Sequence, residues 1–142
     1  MLSSKLSVGV HILTLLAIKA GEPMTSAVIA CSVNTNPVVI RRLLGLFREA
    51  GFVESKNGVG GGWLLVRDPK QITLVDVLRA VEPQNEMFAL HRSGPNEECP
   101  VGHCIQGVLT EVYDEVQEGM AERLARSTIA SLVKTLKERM EV

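Results

Sequence analysis

The segment from residue 36 to 66, "NPVVIRRLLGLFREAGFVESKNGVGGGWLLV", restricts the possible folds more than any other part of the chain. Asn36 offers a capping oxygen, and Pro37 falls at the first helical position, where a missing N–H costs nothing. Gly51 supplies a left-handed stop. Between them Ile40, Leu43, Leu44 and Phe47 recur at helical spacing as an inward stripe, alongside Val38, Val39 and Leu46, and Arg41, Arg42 and Arg48 are left outward. "FVES" and "GWLLV" then read as two short strands around glycines 58, 60, 61 and 62. A dinucleotide fingerprint would need glycine where Trp63 stands, with a helix after it, and a phosphate loop would end in Lys and a hydroxyl; neither pattern is present. The glycines are therefore expected to give positive φ at a hairpin tip and to let its backbone lie close to something else.

What precedes this segment sharpens the reading. A first helix spans about Ser4 to Ala20, with Val8, Ile12, Leu15, Leu16 and Ile18 on one side, and Gly21 and Pro23 stop it. Thr25 or Ser26 caps a short helix to about Ser32, in which Val28, Ile29 and Cys31 are expected to face inward. Two short helices joined by a tight turn form a helix-turn-helix, and a hairpin directly after it is a wing, with Lys56 and Asn57 at its tip. Asp68-Pro69 makes a turn, and Thr73 caps a helix whose Leu74, Val77, Leu78 and Val81 pack back on the first three.

Positions 83–100, with three prolines and a glycine, read as a loop. From about Val101 to Arg126 a helical stripe resumes through Ile105, Val108, Leu109, Val112, Val116, Met120 and Leu124, with Glu111, Asp114, Glu115, Glu118 and Glu122 off it. A last helix restarts at Ser127 or Thr128 and carries Ile129, Leu132, Val133 and Leu136. At ~1.5 Å per residue the long helix reaches about 37 Å, more than the small domain before it covers. Its stripe is expected to meet a second copy in a two-fold dimer, the competing reading being that the last helix folds back over it. The fold class is thus mainly α with a small β-hairpin: a winged helix-turn-helix domain at 1–82, a sensor-type loop at 83–100 and dimerisation helices at 101–142.

Charge divides the same way. The net value of -1 conceals a middle, residues 36–70, with six bases and three acids, and a segment 71–142 with seven bases and twelve acids. One face is expected to meet an anion while the rest repels it. The run "LSVGVHILTLLAI" is too short to span a bilayer. Although Lys5 lends it some likeness to a secretory signal, the odd cysteine count gives no disulfide framework, so a cytoplasmic setting without membrane partners is expected. Nothing resembles an enzyme: His11, His91 and His103 stand in no catalytic motif.

The helix, "AGFVES", "GVGGGWLL", "RDP" and "ITLVDVLRAVE", in that order, are similar to the Rrf-type bacterial winged-helix regulators, the superfamily of IscR, NsrR and CymR. The match covers nearly the whole chain. The resemblance implies a homodimeric transcription factor on promoter DNA, with the third helix in the major groove and the wing in the minor groove. Carried over by position, helix contacts fall on Thr35, Asn36, Val38, Val39, Arg41 and Arg42, and wing contacts on Lys56 and Asn57. The family often has Glu-Gln where this chain has Arg41-Arg42. Cluster-binding members carry three cysteines in the loop before the long helix; this chain has two, Cys99 and Cys104 in "CPVGHC", and so resembles a subgroup lacking the full motif. An iron–sulfur cluster wants four ligands, mostly thiolate, so a cluster is the least favoured of three readings and no cofactor or metal is assigned. A reversible Cys99–Cys104 disulfide and an absence of any cysteine chemistry both stay open, and Cys31 reads as a small apolar filler. The function expected is a sequence-specific regulator, a repressor with a redox input, the alternative being a winged-helix module that docks on a partner enzyme.

Overall fold

A computed structural model describes residues 3–84 and 88–141; positions 85–87 of the expected loop lie outside the described residues. The order is α1 (Lys5–Ile18), α2 (Ser26–Val33), α3 (Pro37–Glu49), β1 (Val53–Lys56), β2 (Gly62–Leu65), a 3-10 turn (Pro69–Gln71), α4 (Leu74–Val81), α5 (Pro100–Leu124) and α6 (Ile129–Met140). It is mainly helical with a two-stranded hairpin.

The core gathers where α1, α3 and α4 meet. Ile12, Leu13 and Leu16 of α1, Ile40, Leu44 and Phe47 of α3 and Val77 and Val81 of α4 are buried together with Phe52 and Val53 at the entry to the hairpin. α1 comes in closely because Gly9 lacks a side chain: a Cβ there would lie 2.9 Å from the Phe47 ring. Thr14 is buried as well, its hydroxyl donating back to the Val10 and His11 carbonyls at 2.9 Å each. That satisfies its polar atom inside the apolar layer.

Caps set the helix ends. Thr25 Oγ1 accepts from the Val28 amide at 3.2 Å, and Asn36 Oδ1 from the Val38 amide at 2.8 Å. The turn between α2 and α3 places Asn34 at φ 62, a region that asparagine tolerates better than most residues. Thr73 with Asp76, and Thr128 with Ser131, form two reciprocal capping boxes. The two starts are bonded to each other, Leu74 N to Ser127 O and Ile129 N to Ile72 O, both at 2.9 Å. Ile129 is thereby drawn into the main core, and α6 lies along α1 rather than over α5.

α5 is left bare. None of its residues is buried, and Val101, Val108, Val112 and Val116 are 69%, 53%, 48% and 45% exposed. No helix among the described residues is long and apolar enough to cross a membrane.

Two inward assignments on α2 are corrected. Ile29 and Ala30 are buried, but Val28 is 52% exposed and Cys31 faces solvent. α2 is apolar on nearly every side, so its sequence carries no phase; the tight turn after Asn34 decides which side meets α3.

Candidate nucleic-acid interface

α3 carries two opposed stripes at the same spacing. Ile40, Leu43, Leu44 and Phe47 face the core, and Val38, Arg41, Arg42 and Gly45 face away from it. Residues three and four apart are neighbours on a helix surface, so Val38, Arg41 and Arg42 form one patch. Arg41 and Arg42 are exposed, and neither has a partner among the described residues.

The two other arginines nearby are already committed. The Arg48 guanidinium lies 5.4 Å from the centre of the Trp63 ring, joining α3 to the hairpin. Arg67 donates to the Ala50 carbonyl at 3.2 Å and stacks 4.7 Å over Phe52, so it closes the C-terminal end of α3. Sequence periodicity cannot show either contact.

The hairpin is antiparallel, with Val53 opposite Leu65 and Lys56 opposite Gly62. Trp63 also bridges to Met24, its amide donating to the Met24 carbonyl at 2.8 Å and its carbonyl accepting from the Met24 amide at 3.0 Å. Gly62, at φ 146, makes this approach fit: a Cβ there would stand 2.5 Å from the Met24 carbonyl carbon. Gly58 and Gly60, at φ 91 and 75, turn the tip, and a Cβ at Gly61 would collide with the Lys56 carbonyl. The glycines at 58, 60, 61 and 62 therefore do two jobs, turning the wing and seating its base.

Of the other residues expected at an interface, Lys56 and Asn57 are exposed at the wing tip. Asn36 is exposed, with its side-chain oxygen engaged in the cap. Thr35 is half-buried, its amide bonded to Ala30 O at 3.1 Å, and Val39 leans on the core.

The segment before α5 is strapped along that helix. Gln106 donates to the His91 carbonyl at 3.1 Å, and Phe88 stacks on Tyr113 with ring centres 4.9 Å apart. Cys99 is the N-cap residue of α5 and is exposed. Its side chain makes no capping hydrogen bond of good geometry, but the amides of Gly102 and Val101 face the sulfur and hold its pKa below the usual thiol value. Cys104 lies five residues further along the same helix, which puts about 7.5 Å of rise between the two. A disulfide requires Cα atoms about 4.4–6.8 Å apart. Bridging them requires the first turn of α5 to unwind. Among the described residues no three of His, Cys, Asp and Glu are grouped so as to hold a metal ion.

Residues 2–135 match the family model Rrf2, described as an iron-dependent transcriptional regulator. YwnA of Bacillus subtilis, which is named as an HTH-type transcriptional regulator, is 43% identical over 96% of this chain and 99% of its own length. Among solved structures, IscR of T. potens superposes with a TM-score of 0.74 at 26% identity, covering 98% of this chain and 90% of that one. CymR of B. subtilis, the global cysteine regulator of that organism, superposes at 0.68 and 26% identity, covering 95% and 97%. With a helix-turn-helix, a hairpin wing and a long helix in this order, the chain belongs to the Rrf2 family of transcriptional regulators.

Proposed function

We propose that the protein is a cytoplasmic homodimer that binds promoter DNA sequence-specifically and represses transcription. The observation that carries the DNA reading is the division among the arginines: Arg48 and Arg67 are engaged within the fold, and Arg41 and Arg42 project from the outward stripe of α3 with no partner among the described residues. A guanidinium can meet the O6 and N7 of guanine with two hydrogen bonds, worth about 1–3 kcal/mol of discrimination. Lys56, at the wing tip, suits a phosphate. Dimerisation is supported by the bare α5 stripe, since a second copy brings the same valines to the same place. Repression asks least of the chain, because occupancy of a promoter excludes polymerase with no further surface.

The two charges are told apart by binding measurements. Arg42→Ala should flatten the preference for a selected duplex over scrambled DNA by about 5- to 150-fold. Lys56→Ala should weaken binding to all duplexes alike and lower the slope of log affinity against log salt by about one per protomer. Equal losses on every DNA from both variants would contradict these roles.

A redox input, where one operates, enters at Cys99. Alkylation resolved by mass spectrometry should be faster at Cys99 in the folded protein than at the same thiol in urea near pH 7, because the amides of Gly102 and Val101 favour the thiolate. Raising the pH above the ordinary thiol pKa should abolish that advantage, since both states are then ionised. A folded rate equal to the unfolded one at neutral pH would remove Cys99 as the entry point.

A further inference from the structure

We infer that Val38 reads the C5-methyl group of a thymine in the major groove, one or two base pairs from a guanine read by Arg41 or Arg42; the inference rests on the proposed DNA binding. Val38 is a large apolar side chain in the first turn of α3, 51% exposed, with no role in the core. Its neighbour Val39 shows the contrast, being half-buried and packed inward. Val38 is the large apolar side chain that α3 exposes, and it is flanked by two guanidiniums with no partner among the described residues.

That setting selects the partner. An apolar protein surface would have to desolvate Arg41 and Arg42 alongside the valine, which is costly without matching acids. A duplex offers both chemistries at once, because the major groove is lined by phosphate charge and guanine acceptors and its one apolar group is the thymine methyl. Side chains three or four residues apart on a helix lie about 5–6 Å apart, and base pairs rise by about 3.4 Å, which sets the spacing stated above.

Gly45 completes the stripe. A Cβ there would meet nothing within 4 Å, so no packing inside the chain calls for a glycine, although one costs a helix interior about 0.5–1 kcal/mol. The third turn is thus left flat on the side that carries Val38.

The test uses the full chain and a duplex enriched by it from a random-sequence library. Each thymine in a half-site is replaced in turn by deoxyuridine, which removes only the methyl group. One position, within two base pairs of a guanine whose replacement is sensitive to Arg41→Ala or Arg42→Ala, should weaken wild-type binding about fourfold per half-site. Val38→Ala should bind the thymine and deoxyuridine duplexes equally while keeping its guanine preference. If the enriched duplex binds but no deoxyuridine position matters, or if Val38→Ala keeps the full penalty, the inference is overturned and DNA binding stands. If no duplex is enriched, the reading beneath it falls, and this one with it.

Discussion

Val112→Asp is expected to leave the protein monomeric at micromolar concentration with its helical content unchanged. Val112 is about half exposed in the single chain, so the substitution removes nothing from the core. Its effect falls on whatever covers α5. Full burial of a valine stabilises by about 1.5–3 kcal/mol, of which about half remains to be gained on association. A two-fold interface counts the loss twice, giving about 1.5–3 kcal/mol, and two carboxylates trapped without partners add to it. A total above about 3 kcal/mol raises the dimer Kd more than about 100-fold. DNA affinity should fall by about 10²–10⁴, because the second head no longer binds as a linked unit. Glu118→Gln, on the exposed acidic side of α5, serves as the control and should leave the dimer intact. Sedimentation velocity reads both variants; an undisturbed dimer in Val112→Asp would show that the stripe is not the interface.

Gly62→Ala should detach the wing from the body. Its Cβ would sit 2.5 Å from the Met24 carbonyl carbon, 2.6 Å from its oxygen and 2.8 Å from its nitrogen, and none of these backbone atoms belongs to a flexible side chain. Strain at a glycine-only φ costs about 1–3 kcal/mol, and the two Met24–Trp63 hydrogen bonds that must lengthen contribute about 0.5–1.5 kcal/mol each. Together these predict a loss of about 2–6 kcal/mol, which at ~3 °C per kcal/mol lowers Tm by about 6–18 °C. Gly58→Ala is the comparison. Gly58 also has positive φ, at 91, but a Cβ there meets nothing within 4 Å, so only the strain applies. Trp63, the sole tryptophan, reports the difference: its emission should shift to the red in Gly62→Ala and stay in place in Gly58→Ala. Matching Tm values and spectra for the two variants would mean that the bridge to Met24 does not seat the wing.

Sequence reasoning went furthest where one residue type had one local job. Asn36, Pro37 and the opposed stripes of α3 were legible because cap, first turn and periodicity all lie within the same short segment. Thr73 is legible as a cap for the same reason, whereas the reciprocal bond from Asp76 that completes the capping box is visible only in the structure. α4 buries Val75 as well as Val77, Leu78 and Val81, and in so short a helix the stripe's edge is ambiguous by one residue. Contacts distant in sequence were invisible. Nothing around Gly62 points to Met24, and nothing around Arg67 points to the end of α3. Nor does the spacing of Ile129 reveal that it joins the core while the equally periodic valines of α5 stay outside it. The cysteine pair illustrates a different limit. Closeness in sequence suggested a bridge, but placing both residues on one helix draws them apart.

The most direct test is to lengthen the centre of the selected duplex by about five base pairs, half of the ~10–10.5 bp helical turn, and measure the affinity of the wild-type protein. If two α3 helices are held at one spacing by paired α5 stripes, the inserted half-turn rotates one half-site to the opposite face, and binding should drop to that of a single half-site. Affinity unchanged by the insertion would contradict a two-headed reader.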